Sequence, residues 1–330
     1  MKFLNKSTRV CSGIVALLSI SDAVFAVETR IETATQQVQR TDLKRMLQEP
    51  AAEVVPSLYK GEEKDLGPQY VIPDQKPKHQ WLQVSYDVQY ASTSNVSLVE
   101  SNRVESSLMI STAQIAVAPT PWELSDGTLA IQTGYRHQRF NYGLGSGNEH
   151  NLNDLDFDVS TIFAQSRYLF HENWIATFGV DYNRLLTVGG SGRYGEFYSE
   201  ISPSFSLERR FQIDEKSIFT ASFGAAWHVT HVDPPNSDQN DRIDQNIILS
   251  YLRALTPKLY VQPFYLAQFS EYTRGNRKDI LQTIGLAVSY SINEYSALRV
   301  FTNFEAREST HEADYRKLDT GLGASLQIRF

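Results

Sequence analysis

The chain has 330 residues, of which 41% are hydrophobic, and it carries 31 basic against 38 acidic side chains. An acidic chain without runs of Lys and Arg lacks the clustered positive charge that nucleic-acid binding requires, so no nucleic-acid partner is expected. It contains one cysteine, Cys11, which excludes a disulfide framework. Stability must therefore come from a core, a closed sheet or a membrane.

Residues 1–26 have the features of a secretory signal peptide. Lys2, Lys6 and Arg9 precede an apolar stretch, and residues 24–26 (VFA) end it with the small residues that signal peptidase prefers. An uncleaved membrane anchor would need about 20 apolar residues, and Asp22 interrupts this stretch too early for that. We therefore expect export and cleavage near Ala26, which leaves 28 basic and 37 acidic residues and a net charge of −9.

Residues 27–79 are rich in charge, Gln and Pro and have few aromatic side chains. Residues 30–48 have the spacing of a polar helix that Pro50 would end. The apolar positions fit no sustained heptad, so a partly helical or disordered linker is favoured over a coiled coil.

From residue 80 onward the apolar residues recur with period two, which predicts strands with one apolar and one polar face. In WLQVSYDVQY (81–90), Leu82, Val84 and Tyr86 alternate with polar residues. Eleven similar segments follow, at about 104–119, 128–142, 154–170, 174–187, 197–212, 218–231, 243–255, 259–272, 280–292, 296–308 and 318–330. Most have about 11 to 17 residues, enough to cross a bilayer at a tilt, whereas strands of soluble proteins usually have about five or six.

The connections between these segments alternate in length. The short connections are PWELSDG (121–127), HEN (171–173), TPK (256–258) and INE (292–294). The long and polar ones include ASTSNVSLVESN (91–102), GLGSGNEHNLND (143–154) and DPPNSDQNDR (233–242). A strand meander through a membrane has short turns on one side and long loops on the other. An even number of strands places both ends of the sheet on the short-turn side.

Alternation also separates a lipid face from an interior face. Phe219, Phe223 and Trp227 share one face of a strand, and Ser222 and His228 share the other. Aromatic residues collect near the proposed strand ends, as in an interfacial girdle: Trp81, Trp122, Trp174, Tyr260 and Tyr295. A helical membrane bundle is excluded, because no segment after residue 26 is continuously apolar for the required length.

Residues 80–330 resemble the bacterial outer-membrane β-barrel proteins, in particular porin-like barrels of about twelve strands. LGASLQIRF at the C-terminus, with Leu326 and Ile328 before the aromatic Phe330, is similar to the signal that the barrel assembly machinery of that family recognises. The resemblance implies an all-β, transmembrane, antiparallel up-and-down barrel in the outer membrane of a Gram-negative bacterium. It implies outer-membrane lipid and the barrel assembly machinery as partners, and a periplasmic location for residues 27–79. The alternative is the last strand of a soluble barrel or sandwich.

The interior face carries charges of both signs. Strand parity assigns to it the candidate lumen-lining residues Asp87, Arg136, Asp181, Glu200, Glu208, Arg210, Asp244, Arg299, Glu305 and Arg307. Two interpretations stay open: the charges pair and fill the interior, or they line a narrow water-filled passage that selects small polar or ionic solutes. Segments 154–170 and 259–272 fit either parity and contribute no lining residues.

No enzymatic activity, cofactor or metal is expected. His228 and His231, with Asp233 nearby, are the best candidates for acid–base chemistry, but ordinary polar residues at a barrel rim are favoured. No Ser and His motif stands out on an exposed strand. DQNDRID (238–244) spaces its carboxylates like a calcium loop but lacks the Gly of the EF-hand pattern.

The sequence therefore predicts a narrow outer-membrane channel for passive diffusion of small hydrophilic solutes. The alternative is a non-conducting barrel that serves as a membrane anchor or as a component of an envelope assembly or polymer-export complex, with residues 27–79 binding a periplasmic partner.

Overall fold

The computed structural model describes residues 81–144, 152–171, 173–188, 195–232 and 240–330. These residues form twelve long strands, one short strand and a 3-10 turn at Leu152–Leu155. The predicted signal peptide, the linker at 27–79 and Asp233 lie outside the described residues. In the part of the chain that is described, no helix is long and apolar enough to span a membrane.

The strands follow the predicted segments closely. Their bounds are β1 Leu82–Thr93, β2 Ser106–Val117, β3 Trp122–Leu124, β4 Gly127–Tyr142, β5 Phe157–Phe170, β6 Trp174–Thr187, β7 Glu196–Asp214, β8 Ser217–Val232, β9 Arg242–Ala254, β10 Leu259–Tyr272, β11 Lys278–Ser291, β12 Ser296–Ser309 and β13 Tyr315–Arg329. The one unpredicted strand is β3, within a segment predicted as a turn. Trp122 of β3 pairs with Leu129 of β4 in a small hairpin.

The sheet closes on itself. Each long strand pairs antiparallel with the next, β2 pairs with β4, and β13 pairs with β1 from Gln83–Arg329 to Thr93–Asp319. At the seam, the Leu82 amide donates to the Phe330 carbonyl (3.2 Å) and the Phe330 amide donates to the Leu82 carbonyl (2.8 Å). Closure leaves none of the twelve long strands at an edge with an unpaired side, as a lipid environment requires. The predicted fold class is confirmed.

The outside of the barrel is apolar. Along β13, Leu318, Leu322 and Leu326 are exposed, and Leu322 retains 60% of its accessible surface. Equally exposed apolar side chains occur on the other long strands, which gives a far larger apolar surface than a soluble monomer tolerates. Lipid is the solvent that matches this surface.

Register assigns the interior face on the two strands whose parity the sequence left open. Thr161 of β5 pairs with Arg136 of β4, and Gln268 of β10 pairs with Leu281 of β11. All four side chains are buried. The inward residues of β5 therefore carry odd numbers and those of β10 even numbers.

Glycines on the inner wall make room for large inward-facing rings. A Cβ at Gly321 would lie 2.4 Å from the Tyr90 carbonyl oxygen and 2.7 Å from Cζ of Phe301, and a Cβ at Gly285 would lie 2.3 Å from the Phe264 ring. Both phenylalanines are buried as a result. Pairing small with large residues lets side chains cover part of the wall without overlap.

We expect Gly321→Ile to destabilise the barrel by about 1–3 kcal/mol, because the new side chain must displace β1 backbone or the Phe301 ring at the closing seam. Ala324→Ile is the matched control, since Ala324 lies on the exposed outer face of the same strand. Urea midpoints of the refolded proteins in detergent micelles would measure the difference. Equal midpoints would contradict the packing described at the seam.

Candidate functional site

The interior near the short-turn end is polar and partly exposed. A ladder of glutamine side chains crosses the wall: Gln165 Nε2 donates to Gln132 Oε1 (2.6 Å), and Gln132 Nε2 donates to Gln83 Oε1 (3.2 Å). Where Ser204 pairs with Ala226 and Ser206 pairs with Gly224, the inward side chains of β7 and β8 are both small. At this level the wall projects little into the interior.

Solvent-accessible space reaches the middle of the barrel. Ser204 faces inward, since a Cβ on its inward neighbour Gly179 would lie 3.0 Å from its Oγ, and Ser204 is exposed. Asp181, also inward, keeps 35% of its side-chain surface while its Oδ2 lies 3.3 Å from Nη2 of Arg136. Arg136 itself is buried. An accessible carboxylate at this depth indicates that side chains do not completely fill the interior at this level.

A chain of charged groups lies on the wall of β7, β8 and β9. His228 Nδ1 lies 3.1 Å from Glu200 Oε2, and His228 Nε2 lies 3.0 Å from Asp244 Oδ2. Arg242 Nε donates to both oxygens of Asp244 (3.2 and 3.0 Å), and the Tyr198 hydroxyl donates to Glu200 (2.7 Å). Because both ring nitrogens of His228 face carboxylates, this imidazole is held as an ion-pair partner.

The other histidine singled out from the sequence, His231, is exposed and lies on the opposite parity of β8. Residues three apart on a strand point to opposite faces. The two histidines therefore form no common site.

A second group of paired charges lies on β12 and β13. Lys317 Nζ lies 3.2 Å from Glu305 and 3.5 Å from Asp319, and the Tyr315 hydroxyl donates to Glu305 (2.8 Å). Arg307 donates through Nη2 to the Ala313 carbonyl (2.9 Å). Glu305 is almost completely buried, so its charge depends on these partners.

The remaining candidate lining residues are also paired. Arg299 Nη2 lies 3.4 Å from Asp87 Oδ1, reaching past Gly323, and Arg210 Nε lies 2.8 Å from Glu208 Oε1. Register thus brings the ten predicted residues into local pairs and networks. That they line a conducting passage stays a prediction.

Two members of these networks, Arg242 and Lys317, were missed in the sequence. Each lies two residues from an inward carboxylate, at Asp244 and Asp319 respectively, and therefore shares its face. The same parity argument extended to the strand ends would have found both.

Loop 94–105, which joins β1 to β2, folds into the mouth at the long-loop end. Val96 is 3% exposed and Leu98 is 6% exposed. The side chain of Asn95 donates through Nδ2 to the carbonyls of Val99 (2.7 Å) and Arg316 (3.1 Å). The sequence predicted a long polar loop here and did not predict that its apolar residues turn inward.

The loop contacts two separate parts of the wall. Val96 belongs to an apolar cluster with buried side chains of β2, β4, β5, β6 and β7: Ile110, Phe140, Tyr142, Phe157, Val159, Leu185 and Tyr198. Leu98 packs instead with Leu281 of β11 and Tyr315 of β13. The loop therefore connects the two clusters across part of the mouth.

The rim at this end carries another ion pair. Arg277 Nε donates to both oxygens of Asp279 (3.0 and 3.1 Å), and its Nη1 lies 3.5 Å from Glu312. Burial alone would lower the pKa of Arg277, but the hydrogen bond to Asp279 and the interactions with Tyr272 and Glu312 raise it. The guanidinium therefore stays charged.

The acidic segment 238–244 is only partly described, and its described carboxylates have other roles. Asp241 Oδ1 accepts hydrogen bonds from the amide (2.7 Å) and hydroxyl (2.9 Å) of Thr230, and Asp244 pairs with His228. Among the described residues, no group of three His, Cys, Asp or Glu side chains is placed to hold a metal ion.

We expect Glu305→Ala to destabilise the folded barrel by about 3 kcal/mol, because it removes the nearest counter-charge of the buried Lys317. Glu308→Ala, on the exposed outer parity of the same strand, should change the unfolding free energy by less than about 0.5 kcal/mol. Urea unfolding in micelles, followed by tryptophan fluorescence, compares the two. Equal unfolding free energies of the two variants would mean that the Glu305–Lys317 ion pair contributes no net stability.

No known protein-family profile matches the chain, and no curated protein matches it. Solved structures with a similar shape include an outer-membrane channel from Pseudomonas putida F1, with 13% sequence identity and a TM-score of 0.48 over 80% of this chain and 100% of that one. The β-domain of the Bordetella autotransporter BrkA matches with 14% identity and a TM-score of 0.43 over 74% of this chain and 98% of that one.

The translocator domain of the autotransporter NalP from Neisseria meningitidis matches with 12% identity and a TM-score of 0.39 over 77% of this chain and 90% of that one. Similarities at this level carry no argument about function. The fold itself rests on the chain's own closed sheet of twelve long strands, apolar outside and polar inside. This chain has the fold of the bacterial outer-membrane β-barrel proteins, as the resemblance of residues 80–330 implied.

Proposed function

We propose that the protein is an outer-membrane channel for small hydrophilic solutes, closed in this conformation at its long-loop end by loop 94–105. The observation that carries the proposal is the difference in solvent accessibility between inward side chains at mid-barrel and those near the long loops. Asp181 and Ser204 are accessible at mid-barrel, whereas Val159, Leu185 and Tyr198 are completely buried nearer the long loops. In the predicted topology, the accessible part opens to the periplasm.

The ion pairs lie along the wall of the barrel and do not cross the lumen. Arg136 and Asp181 are separated by one strand, as are Arg299 and Asp87, and Glu305 and Lys317 lie on neighbouring strands. Charges paired in this way stay in place when the centre of the barrel opens. They leave a polar surface that small hydrated solutes can follow.

Loop 94–105 is held weakly enough to act as a gate. Burial of Val96 and of Leu98 contributes about 1.5–3 kcal/mol each, and the hydrogen bonds of Asn95 contribute about 1 kcal/mol each. Leu98 also adopts a left-handed backbone conformation (φ 51°), which opposes the closed form by about 1 kcal/mol or more. A balance of a few kcal/mol leaves a minor open population.

Val96→Ser/Leu98→Ser should raise the open probability of single channels in a planar bilayer by at least tenfold, because it removes the two apolar anchors of the loop. Glu100→Ser/Arg103→Ser is the matched control, since both side chains are exposed in the same loop. A third variant replaces residues 95–104 by a short Gly-Ser linker and should conduct continuously. Silence of that variant, despite heat-modifiable folding on a gel, would overturn the channel proposal.

The accessible carboxylate of Asp181 should set ion selectivity. The measurement uses the Val96→Ser/Leu98→Ser variant as the parent protein. In that protein, Asp181→Asn should lower the cation-to-anion permeability ratio several-fold, because Arg136 then remains as an uncompensated positive charge at mid-barrel. Glu308→Gln, which removes a negative charge from the outer face, should leave the ratio unchanged. Reversal potentials in a salt gradient measure both. An unchanged ratio in the Asp181 variant would place the conduction path elsewhere.

A non-conducting barrel is the second candidate function. The burial of apolar side chains at the long-loop end, together with the pairing of the lining charges, is the observation that favours it. In that case the barrel anchors an envelope assembly or export complex, and residues 27–79 recruit its periplasmic partner. Absence of conductance in the loop-replaced variant would favour this function over the channel.

A further inference from the structure

A polar cluster interrupts the apolar outer face of β4 and β5. His137 of β4 and Ser160 of β5 are direct register partners, and Asp158 lies two residues from Ser160 on the same face. All three have the parity opposite to the buried, inward-facing Arg136 and Gln138. The cluster therefore faces outward, at the polar end of the apolar outer face.

The side chains form a connected Ser–His–Asp arrangement. His137 Nδ1 lies 3.4 Å from Ser160 Oγ, and His137 Nε2 lies 3.7 Å from Asp158 Oδ2. The Tyr135 hydroxyl lies 3.0 Å from Ser160 Oγ, and Arg139 Nε lies 4.0 Å from Asp158 Oδ1. The distances are somewhat long for hydrogen bonds, as is common for catalytic groups without bound substrate.

This arrangement is costly because Asp158 is buried without a complete set of hydrogen bonds. Asp158 has only 6% of its side chain exposed, and its buried Oδ1 has no hydrogen-bond partner among the described residues. An unsatisfied buried oxygen costs about 1–3 kcal/mol. Nearby outward positions carry Ile115 and Ile162, which are exposed and apolar. The cluster combines a hydroxyl, an imidazole and a carboxylate, which are the groups that nucleophilic catalysis needs.

The cluster lies at the edge of the apolar belt. Outward residues of β4 change from Leu129 and Ile131 through Tyr135 to His137 and Arg139 along the strand. A tyrosine with an exposed ring and a hydrogen-bonded hydroxyl is typical of the membrane–water interface. The acyl esters of membrane lipids lie at that depth, and water reaches it from the polar side.

We propose that Ser160, His137 and Asp158 hydrolyse carboxylic esters of lipids at the outer surface of the barrel. Ser160 Oγ attacks the ester carbonyl carbon while its proton passes to Nδ1 of His137, and Asp158 orients the ring through Nε2–H. Collapse of the tetrahedral intermediate breaks the carbon–oxygen bond to the alcohol, which takes the proton back from His137. Water then attacks the acyl-Ser160 ester, assisted in the same way, and releases the fatty acid.

The oxyanion must be stabilised by side chains, because register pairs the backbones of β4 and β5 along this stretch. The Tyr135 hydroxyl, already 3.0 Å from Ser160 Oγ, donates to the developing oxyanion, and the half-exposed Arg139 guanidinium lies on the same face. Tyr135, Ser160 and His137 are catalytic residues in this scheme. Asp158 is a positioning residue that acts through His137.

Sequence alone predicted no enzymatic activity, because His137 and Ser160 are 23 residues apart and no local motif links them. Only the register of β4 against β5 makes them neighbours. A one-residue shift would place one of them inside the barrel.

Two measurements on the refolded full chain test the proposal. In mixed micelles of dioleoylphosphatidylcholine and detergent, we expect fatty-acid release by the wild-type protein and a loss of at least about 100-fold in Ser160→Ala and in His137→Ala. A fluorophosphonate probe should label the wild-type protein on Ser160, as located by peptide mass spectrometry. Ser166→Ala, which removes another outward serine of β5, is the matched control and should keep full activity.

Asp158→Asn separates positioning from structure. We expect its kcat to fall with little change in KM and Asp158→Glu to recover part of kcat, while heat-modifiable folding stays intact for both. Equal fatty-acid release by wild type and Ser160→Ala, or probe labelling that does not depend on Ser160, would overturn the proposal. Channel conductance of Ser160→Ala should stay unchanged, so failure of this proposal and failure of the channel proposal are distinguishable.

Discussion

Backbone hydrogen bonding between β13 and β1 is the constraint on which the rest of the structure depends. In hydrocarbon an unpaired amide or carbonyl costs several kcal/mol, so a sheet can span a membrane only when its last strand returns to its first. The eleven register pairs from Gln83–Arg329 to Thr93–Asp319 meet this requirement. Once closure fixes the register, alternation decides for every residue whether it meets lipid or the interior.

Much of the fold follows from alternation alone, because a residue in lipid and its neighbour in the lumen meet opposite solvents. This is why the twelve long strands could be predicted within a few residues, and why the candidate lining charges could be assigned from parity. Loop 94–105 escaped prediction because the direction of a loop side chain depends on what lies across the mouth. In the sequence, Val96 and Leu98 are two isolated apolar residues in a polar loop. Their burial follows from the clusters that contain Phe140 and Leu281, which only the structure shows.

The interaction partner of a side chain is harder to predict from sequence than the face of the sheet on which the side chain lies. Parity places Arg136 and Asp181 inside, but only the register of β4 and β6 against the intervening β5 shows that they pair. The same limit hid the outward cluster, since His137 and Ser160 become neighbours through a cross-strand pairing that no sequence spacing encodes. The sequence therefore predicts which residues lie on each face of the barrel. Which side chains form a site can be seen only from the register of the paired strands.

Barrel width is consistent with the proposal that a loop, and not the wall, closes the mouth. Eight strands enclose an interior that side chains just fill, and the diameter of a barrel grows with the number of its strands. The ion pairs accordingly stay within two strands of one another, and the small inward side chains where Ser204 pairs with Ala226 and Ser206 pairs with Gly224 project little into the interior. The apolar cluster covers only β2 and β4–β7, so occlusion requires the inserted loop. The wall pairs such as Arg136 with Asp181 and Arg299 with Asp87 do not involve the loop, so the proposed displacement of loop 94–105 would leave them intact.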